Sequence, residues 1–580
     1  MVRTVAVQCT LCAAIWFFFA KKSSFASLTR NDLAVQTAPQ DKFSWDAIVP
    51  TEKLMWTDCY TDKQCARLKV PLDYANPDAG FAAIAMARLH SAAPHNSSAY
   101  RGPVLINPGG PGGSGVDMLL SRGSLLSVIL GPEFDIIGFD PRGKSSPRIA
   151  RSTPRVSYFE SRAEREIFSL GDLESFNASA GALARGWARG MLVGGLAGQR
   201  DDGSLRFINT DHTARDMLRI VQAHGRDKIQ YWGFSYGSIL GATFAAMFPE
   251  HVERLVIDGV MRADNYYATE WSLNLLDTDK AWQSFAHGCA AAGAQGCAFY
   301  SPTAAEITAN IDKIAASLRA RPIPVRTSTA YGLVDYSIFR RKIFRSLYAP
   351  YATFPALAQA LADLAAGNGT TLFNLETKTP FQCACDASEY QFESVYEASS
   401  AVYCNDGKRI SPAYEDLLAH YQTMSETSSF APEWELIRTS CLAWPEFPKN
   451  HFHGPFVANT SFPVLLVGNT ADPVTPLSHA MKMSRGFADS VVLTQDSVGH
   501  CSISGPSLCT QKHIRAYFFD GALPPPGTVC PVDAQPFPAN DAQPDAGAQA
   551  VLRLSAADRN LLEAVRELAA TFDIRFPAGL

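Results

Sequence analysis

From about residue 66 to residue 143, short apolar runs alternate with Gly/Pro-rich turns. Val104-Leu105-Ile106 leads into Asn107-Pro108-Gly109-Gly110-Pro111-Gly112-Gly113-Ser114-Gly115, and the run Phe134–Phe139 leads into Asp140-Pro141-Arg142-Gly143. Continuous apolar runs bounded by turn residues predict strands covered on both faces. Residues 211–224 have helical spacing, with Ala214, Met217, Leu218 and Val221 on one side. A short strand then ends at Trp232, and a sharp Gly-rich turn opens a helix that runs to Phe248 and is closed by Pro249. Leu255-Val256-Ile257 is a further buried-strand run. This strand–turn–helix–strand order predicts an α/β fold with a mainly parallel sheet.

The pattern changes between about 265 and 455, where helical spacing and cysteines dominate. Strand runs return at Val464–Val467 and Val491–Leu493. The organisation predicted is a leader over 1–26, a sheet core over 45–264, a helical insertion over 265–455 and a core completion over 456–535. A Pro-rich tail over 536–580 carries one helix, capped by Ser555 and Asp558, with Leu561, Leu562, Val565, Leu568 and Phe572 as its apolar face.

The leader is read from residues 5–20, an apolar run too short to span a bilayer but suited to a signal-peptide core, with Ser24-Phe25-Ala26 as the cleavage region. Lys21, Lys22 and Arg30 place more positive charge after the run than before it, the arrangement of an uncleaved anchor. Cleavage and export are the expectation, with no membrane contact beyond such an anchor.

Composition adds exclusions. The chain has 580 residues, 47% hydrophobic and 18% charged, with a net charge of −5. It therefore has no overall cationic field for nucleic acid. Arg340, Arg341, Lys342 and Arg345 interleave with Ile338, Phe339, Ile343 and Phe344, which reads as the wet face of an amphipathic helix. The 13 cysteines form no paired CxxC motifs, so disulfides rather than zinc are expected, with an odd thiol left once Cys9 and Cys12 leave with the leader. Cys59/Cys65, Cys289/Cys297, Cys383/Cys385 and Cys501/Cys509 lie close in sequence. Asn96, Asn177, Asn368 and Asn459 are glycosylation acceptors that agree with export. No cofactor or metal is predicted.

The chemistry centres on Gly233-Phe234-Ser235-Tyr236-Gly237, a G-x-S-x-G motif between a strand and a helix. In that context the turn is a nucleophile elbow: the glycines admit a tight bend, and Ser235 stands clear of the backbone. A serine hydroxyl needs a base to take its proton. Downstream, Asp472 follows one strand run and His500 another, in the order serine, acid, histidine. His500 is the expected general base and Asp472 the residue that orients it. The backbone N–H of Tyr236 is one expected oxyanion donor, and a second is expected from the loop after Ile106, where Gly109 and Gly110 let a backbone N–H face the substrate oxygen.

Competing readings are weaker. Asp258, at the end of a strand, is the second candidate acid. Gly110–Gly115 also fits G-x-G-x-x-G with Asp135 further on, but Pro108 and Pro111 spoil the helix start of a dinucleotide site. His451 and His453 lack a third metal ligand nearby and read as a loop pair.

These motifs together resemble the TAP-like (tripeptidyl aminopeptidase) α/β-hydrolases, related to proline iminopeptidases. The likeness lies in Asn107–Gly115, Phe134–Gly143, Trp232–Gly241, Phe248–Val260, Gly468–Pro476 and Gly499–Cys501, with Leu347-Tyr348-Ala349-Pro350 and Cys404-Asn405-Asp406 in the cap region, and extends over about residues 50–535. It departs in lacking a cysteine after Asp140-Pro141-Arg142-Gly143 and in the tail beyond about 535. The resemblance implies an α/β-hydrolase fold with a large helical cap, a triad of Ser235, Asp472 and His500, and an oxyanion hole at Gly110 and Tyr236. It implies an exported serine exopeptidase that releases residues or tripeptides from free peptide N-termini. Such an enzyme needs a carboxylate for the substrate ammonium, for which Glu270 and Asp406 are candidates. The same machinery serves esters, lactones or secondary-metabolite intermediates, and a non-catalytic binding role on this scaffold is the third reading.

Overall fold

The computed structural model describes residues 43–143, 151–171, 174–376, 395–448, 451–537 and 553–572. The leader over 1–26, with Lys21 and Lys22, lies outside the described residues, as do Cys383 and Cys385.

A ten-stranded sheet forms the core. Its strands are β1 (Thr57–Cys59), β2 (Lys63–Pro71), β3 (Phe81–Leu89), β4 (Gly102–Asn107), β5 (Phe134–Phe139), β6 (Ile229–Phe234), β7 (Val252–Asp258), β10 (Leu465–Ala471), β11 (Val491–Val498) and β12 (Val529–Pro531). The spatial order is β1-β2-β3-β5-β4-β6-β7-β10-β11-β12. The β1, β2 and β3 strands pair antiparallel, and β3 meets β5 antiparallel. From β5 to β12 every pairing is parallel.

Every residue of β4, β5 and β6 is buried, as a strand with both faces covered requires. Alternate side chains feed two hydrophobic layers. Val104, Ile106, Trp232 and Phe234 join the layer of the helices Gly115–Leu130 and Leu508–Asp520. Leu105 and Tyr231 join the layer of the helices Thr210–Ala223 and Tyr236–Met247. The helix Ala556–Ala570 caps itself with Ser555 Oγ, which accepts from Asp558 N. It buries Leu561, Val565 and Leu568 in the first layer. The tail helix is therefore part of the core's outer face.

Between β7 and β10 the chain builds a helical layer, with one antiparallel hairpin, β8 (Ile323–Arg326) and β9 (Tyr331–Val334). An earlier segment also enters this layer. The helix Ala182–Gln199 carries Gly190 and Gly194, where a Cβ would lie 2.3 Å from Thr439 O and 1.9 Å from Leu442 O. Only glycine permits that approach.

The basic run differs from its sequence reading. Arg340 pairs with Glu433 at 3.3 Å and lies over the Phe430 ring. Lys342 donates to Leu375 O at 2.8 Å, and Arg345 pairs with Glu376 at 3.1 Å. Helix periodicity put these cations on one side, but other cap segments cover that side and turn them into internal ties.

Disulfides join Cys59–Cys65, Cys289–Cys297, Cys404–Cys441 and Cys509–Cys530. Cys501 does not bond its sequence neighbour Cys509; it is a buried free thiol. No helix among the described residues is long and apolar enough to cross a membrane.

Candidate active site

Ser235 sits between β6 and the helix Tyr236–Met247 with φ 57° and ψ −121°. A non-glycine residue holds such a conformation only when its surroundings fix it, at a cost of about 1–3 kcal/mol. Here the Ser235 N–H donates to Asp258 O at 2.8 Å, and its carbonyl accepts from Ser238 N at 2.7 Å. The motif glycines serve space. A Cβ on Gly233 would lie 2.4 Å from Gly237 O, and one on Gly237 would lie 3.0 Å from Asn107 O.

The acid and the histidine meet. Asp472, just past β10, accepts from Val474 N at 3.0 Å, Thr475 N at 2.8 Å and Cys501 N at 2.9 Å. His500 Nδ1 lies 3.0 Å from both Asp472 oxygens. Burial alone would raise the Asp472 carboxyl, but His500 and the surrounding N–H donors outweigh it and hold it below the usual range. His500 N donates to Tyr348 O at 3.0 Å, and the imidazole stands edge-on to the Tyr348 ring. With Nδ1–H assigned toward Asp472, Nε2 is the acceptor. That Nε2 is buried and has no hydrogen-bond partner among the described residues.

Asp258, the second candidate acid, takes a different place. Its carbonyl receives the Ser235 N–H, and its carboxylate receives Ser502 N at 2.7 Å and Ser502 Oγ at 2.5 Å. It thus clamps the elbow to the histidine loop. Burial pushes its carboxyl up to about 6. The Cys501 thiol, 3.5 Å from Asp258 O, is pushed up by burial in the same place.

The glycine loop after β4 backs onto the elbow. A Cβ on Gly109 (φ +89°) would lie 2.3 Å from Phe234 O, 2.9 Å from Ser235 Cβ and 3.0 Å from Tyr236 N. Asn107 Oδ1 holds the loop by accepting from Gly109 N at 2.9 Å. Gly110 and Tyr236 therefore lie on two segments in contact beside Ser235.

The two carboxylates offered for a substrate ammonium are differently placed. Asp406 is 3% exposed. It accepts from Thr210 N at 2.9 Å, from Thr210 Oγ1 and from Tyr266 OH at 2.8 Å. Those three donors already engage both of its oxygens. Glu270 is half exposed but already faces His420 at 3.3 Å and Arg438 at 3.7 Å. Neither stands as a free anion.

His420 bridges Glu270 and the buried Glu435. Burial would lower it, but the hydrogen bonds to the two glutamates prevail and raise it to about 9. A histidine raised above its unfolded value near 6.5 adds stability that is complete below that pH and lost as pH passes about 9. Melting scans should show Tm falling between pH 7 and pH 9.5, by a contribution on the order of 3 kcal/mol. The His420→Gln variant should melt lower at pH 7 and lack this part of the slope. An unchanged slope in the variant would assign the loss to other groups.

Three clusters bring metal-ligating side chains together among the described residues. In one, Asp472 already serves His500. In another, Cys509 and Cys530 near His513 are bonded to each other. In the third, beside His90, Asp135 accepts from Ser91 N, Tyr100 OH and His95 Nε2 and faces Arg88. His451 and His453 each meet a backbone carbonyl. Asn96, Asn368 and Asn459 are exposed and Asn177 is half-buried.

Residues 102–296 match the family model described as alpha/beta hydrolase fold, and residues 427–530 match that described as TAP-like protein. The chain has the α/β-hydrolase fold and is similar to TAP-like proteins in its C-terminal part. The first stretch of this hydrolase holds the glycine loop and elbow; the second holds Asp472 and His500. Among its relatives is the serine protease Hip1 of Mycobacterium tuberculosis, 25% identical over 82% of this chain and 90% of that protein. The tripeptidyl aminopeptidase of Streptomyces lividans is 27% identical over 83% of this chain and 87% of its own length. The carboxylesterase B of Mycobacterium tuberculosis is 26% identical over 85% and 90%.

Proposed function

We propose that the chain is an exported serine exopeptidase acting on free peptide N-termini through an acyl-enzyme on Ser235. The observation that carries the hydrolytic part is His500, clamped at Nδ1 by Asp472 while Nε2 stays buried and, among the described residues, unpartnered on a loop tied to the elbow. In this reading Ser235 Oγ attacks the carbonyl carbon and its proton passes to His500 Nε2. Asp472 stabilises the imidazolium. The oxyanion takes hydrogen bonds from Gly110 N–H and Tyr236 N–H, each worth about 2.7–4 kcal/mol in the transition state. The imidazolium returns the proton to the leaving amine, and water then releases the acyl group by the same steps.

The peptidase part is supported by the names of Hip1 and the tripeptidyl aminopeptidase. Export is supported by the four disulfides and by acceptor asparagines on the surface. The second reading, an esterase, is favoured by two observations: the carboxylesterase relative, and the fact that Glu270 and Asp406 are already engaged.

Chromogenic tripeptidyl and aminoacyl amides, free and N-acetylated, separate the readings when assayed beside short esters. The exopeptidase turns over free-amine amides and rejects their acetylated forms. Turnover of esters alone would assign the chain to the esterase reading. Equal rates on free and acetylated amides would remove the requirement for an N-terminus.

A further inference from the structure

The helix Val395–Asp406 touches the catalytic centre at two places. Near its start, Ser399 Oγ lies 2.5 Å from Pro111 O and 2.7 Å from Val395 O of its own helix, and its one proton serves these two acceptors. The contact is close: a Cβ on Gly112 (φ +87°) would lie 2.7 Å from Ser399 Oγ and 2.9 Å from Val395 O. The helix N-terminal turn is thus pressed onto the glycine loop next to Gly110.

At the other end, Asp406 accepts from Thr210 N and Thr210 Oγ1. Thr210 Oγ1 in turn lies 2.5 Å from Tyr236 OH. The donors order themselves: the phenol donates to the threonine oxygen, and the threonine hydroxyl donates to the carboxylate. Tyr236 is the residue whose backbone N–H faces the oxyanion in the proposed mechanism, and its ring is buried at 3% exposure. A buried chain of this kind fixes a side chain strongly, because every alternative leaves a polar group unpaired. Asn405 adds hydrogen bonds to Leu205 O at 2.7 Å and Ile208 O at 2.9 Å. The Cys404–Cys441 disulfide holds the same end.

We infer that this one cap helix positions both donors of the oxyanion hole, Ser399 acting through the glycine loop on Gly110 and Asp406 acting through Thr210 on Tyr236. Ser399, Thr210 and Asp406 are positioning residues: none touches the reacting atoms. The consequence is that the cap does more than cover substrate. Its seating sets the distance between two N–H groups carried on different segments of the core. The inference rests on the serine-hydrolase reading above.

The test uses p-nitrophenyl butyrate with the full-length protein, rates being normalised to sites labelled by a fluorophosphonate, except for Ser235→Ala, whose rate is taken per mole of protein. The variants are Thr210→Val, Thr210→Ser, Tyr236→Phe, Ser399→Ala and Ser235→Ala. Donor misplacement acts only in the transition state, so kcat falls while KM holds. We expect kcat per labelled site to drop about 10- to 100-fold in Thr210→Val and Ser399→Ala, with KM within about twofold. Tyr236→Phe should fall in the same way, and Thr210→Ser, which keeps the hydroxyl, should return to within about threefold of the parent. Affinity for phenylboronate, whose tetrahedral adduct occupies the oxyanion hole, should weaken by the same factor as kcat. The inference is overturned if Thr210→Val and Ser399→Ala keep kcat while Ser235→Ala is inactive, or if Thr210→Ser fails to recover. It is also overturned if KM rises with no change in kcat. If Ser235→Ala itself keeps the parent's rate, the hydrolase reading falls together with it.

Discussion

Replacing Ser235 by alanine should abolish turnover of every amide and ester the protein accepts, by about 10⁶-fold, the scale reached when a nucleophile is removed from a catalytic triad. The structure gives the reason in two parts. The residue at the elbow is held at φ 57°, with its N–H bonded to Asp258 O and its carbonyl to Ser238 N. Alanine can occupy that conformation at the same cost, so the fold should remain and Tm should move little. What is lost is the hydroxyl of Ser235, on the turn that bridges the glycine loop and the histidine loop. A fluorophosphonate should label the parent at Ser235 and leave the variant unlabelled. Residual activity within tenfold of the parent would place the nucleophile elsewhere and remove the basis of the mechanism.

The centre was legible in the sequence where its determinants are local. The elbow is five consecutive residues between a strand and a helix. Asp472 and His500 each follow an apolar run that ends in turn residues, and parallel strands bring such ends to one edge of the sheet. What stayed hidden depends on distance along the chain. Thr210 and Asp406 are 196 residues apart, and Ser399 and Pro111 are 288 apart, so no window of sequence contains both partners. The internal pairing of Arg340 and Arg345 was missed for the same reason: periodicity identifies a polar side of a helix but not the Glu433 and Glu376 that cover it. One further signal is present in the sequence. Gly186, Gly190, Gly194 and Gly198 recur every four residues along one face of the helix Ala182–Gln199. That stripe is where Phe176, Thr439, Leu442 and Pro445 approach within contact distance. Small residues at that spacing announce a close partner, which places this segment with the cap.

Asp472→Asn should lower kcat by about 10⁴-fold, the effect of replacing the triad carboxylate by an amide. Asp472 is fully buried and accepts from Val474 N, Thr475 N and Cys501 N besides meeting His500 Nδ1 at 3.0 Å. An amide in its place must turn its NH₂ toward one of these donors. If it faces His500, the imidazole is driven to the tautomer that puts the proton on Nε2, which can then no longer take the proton of Ser235. If it faces the backbone donors, the loop itself opens. In both cases the negative charge that stabilises the imidazolium is gone. The matched control is Asp258→Asn. Asp258 holds Ser502 and Trp232 rather than the imidazole, so although its carboxyl, raised to about 6, is still mostly ionised at neutral pH, neutralising it does not change the hydrogen bond that fixes the His500 tautomer. Its amide should reduce kcat by far less and act chiefly on Tm. Measured side by side on the same ester, with active sites titrated, the two variants decide which strand end supplies the acid. A larger loss in Asp258→Asn than in Asp472→Asn would move that role to β7, and would mean that the contact between Asp472 and His500 serves the loop rather than the reaction.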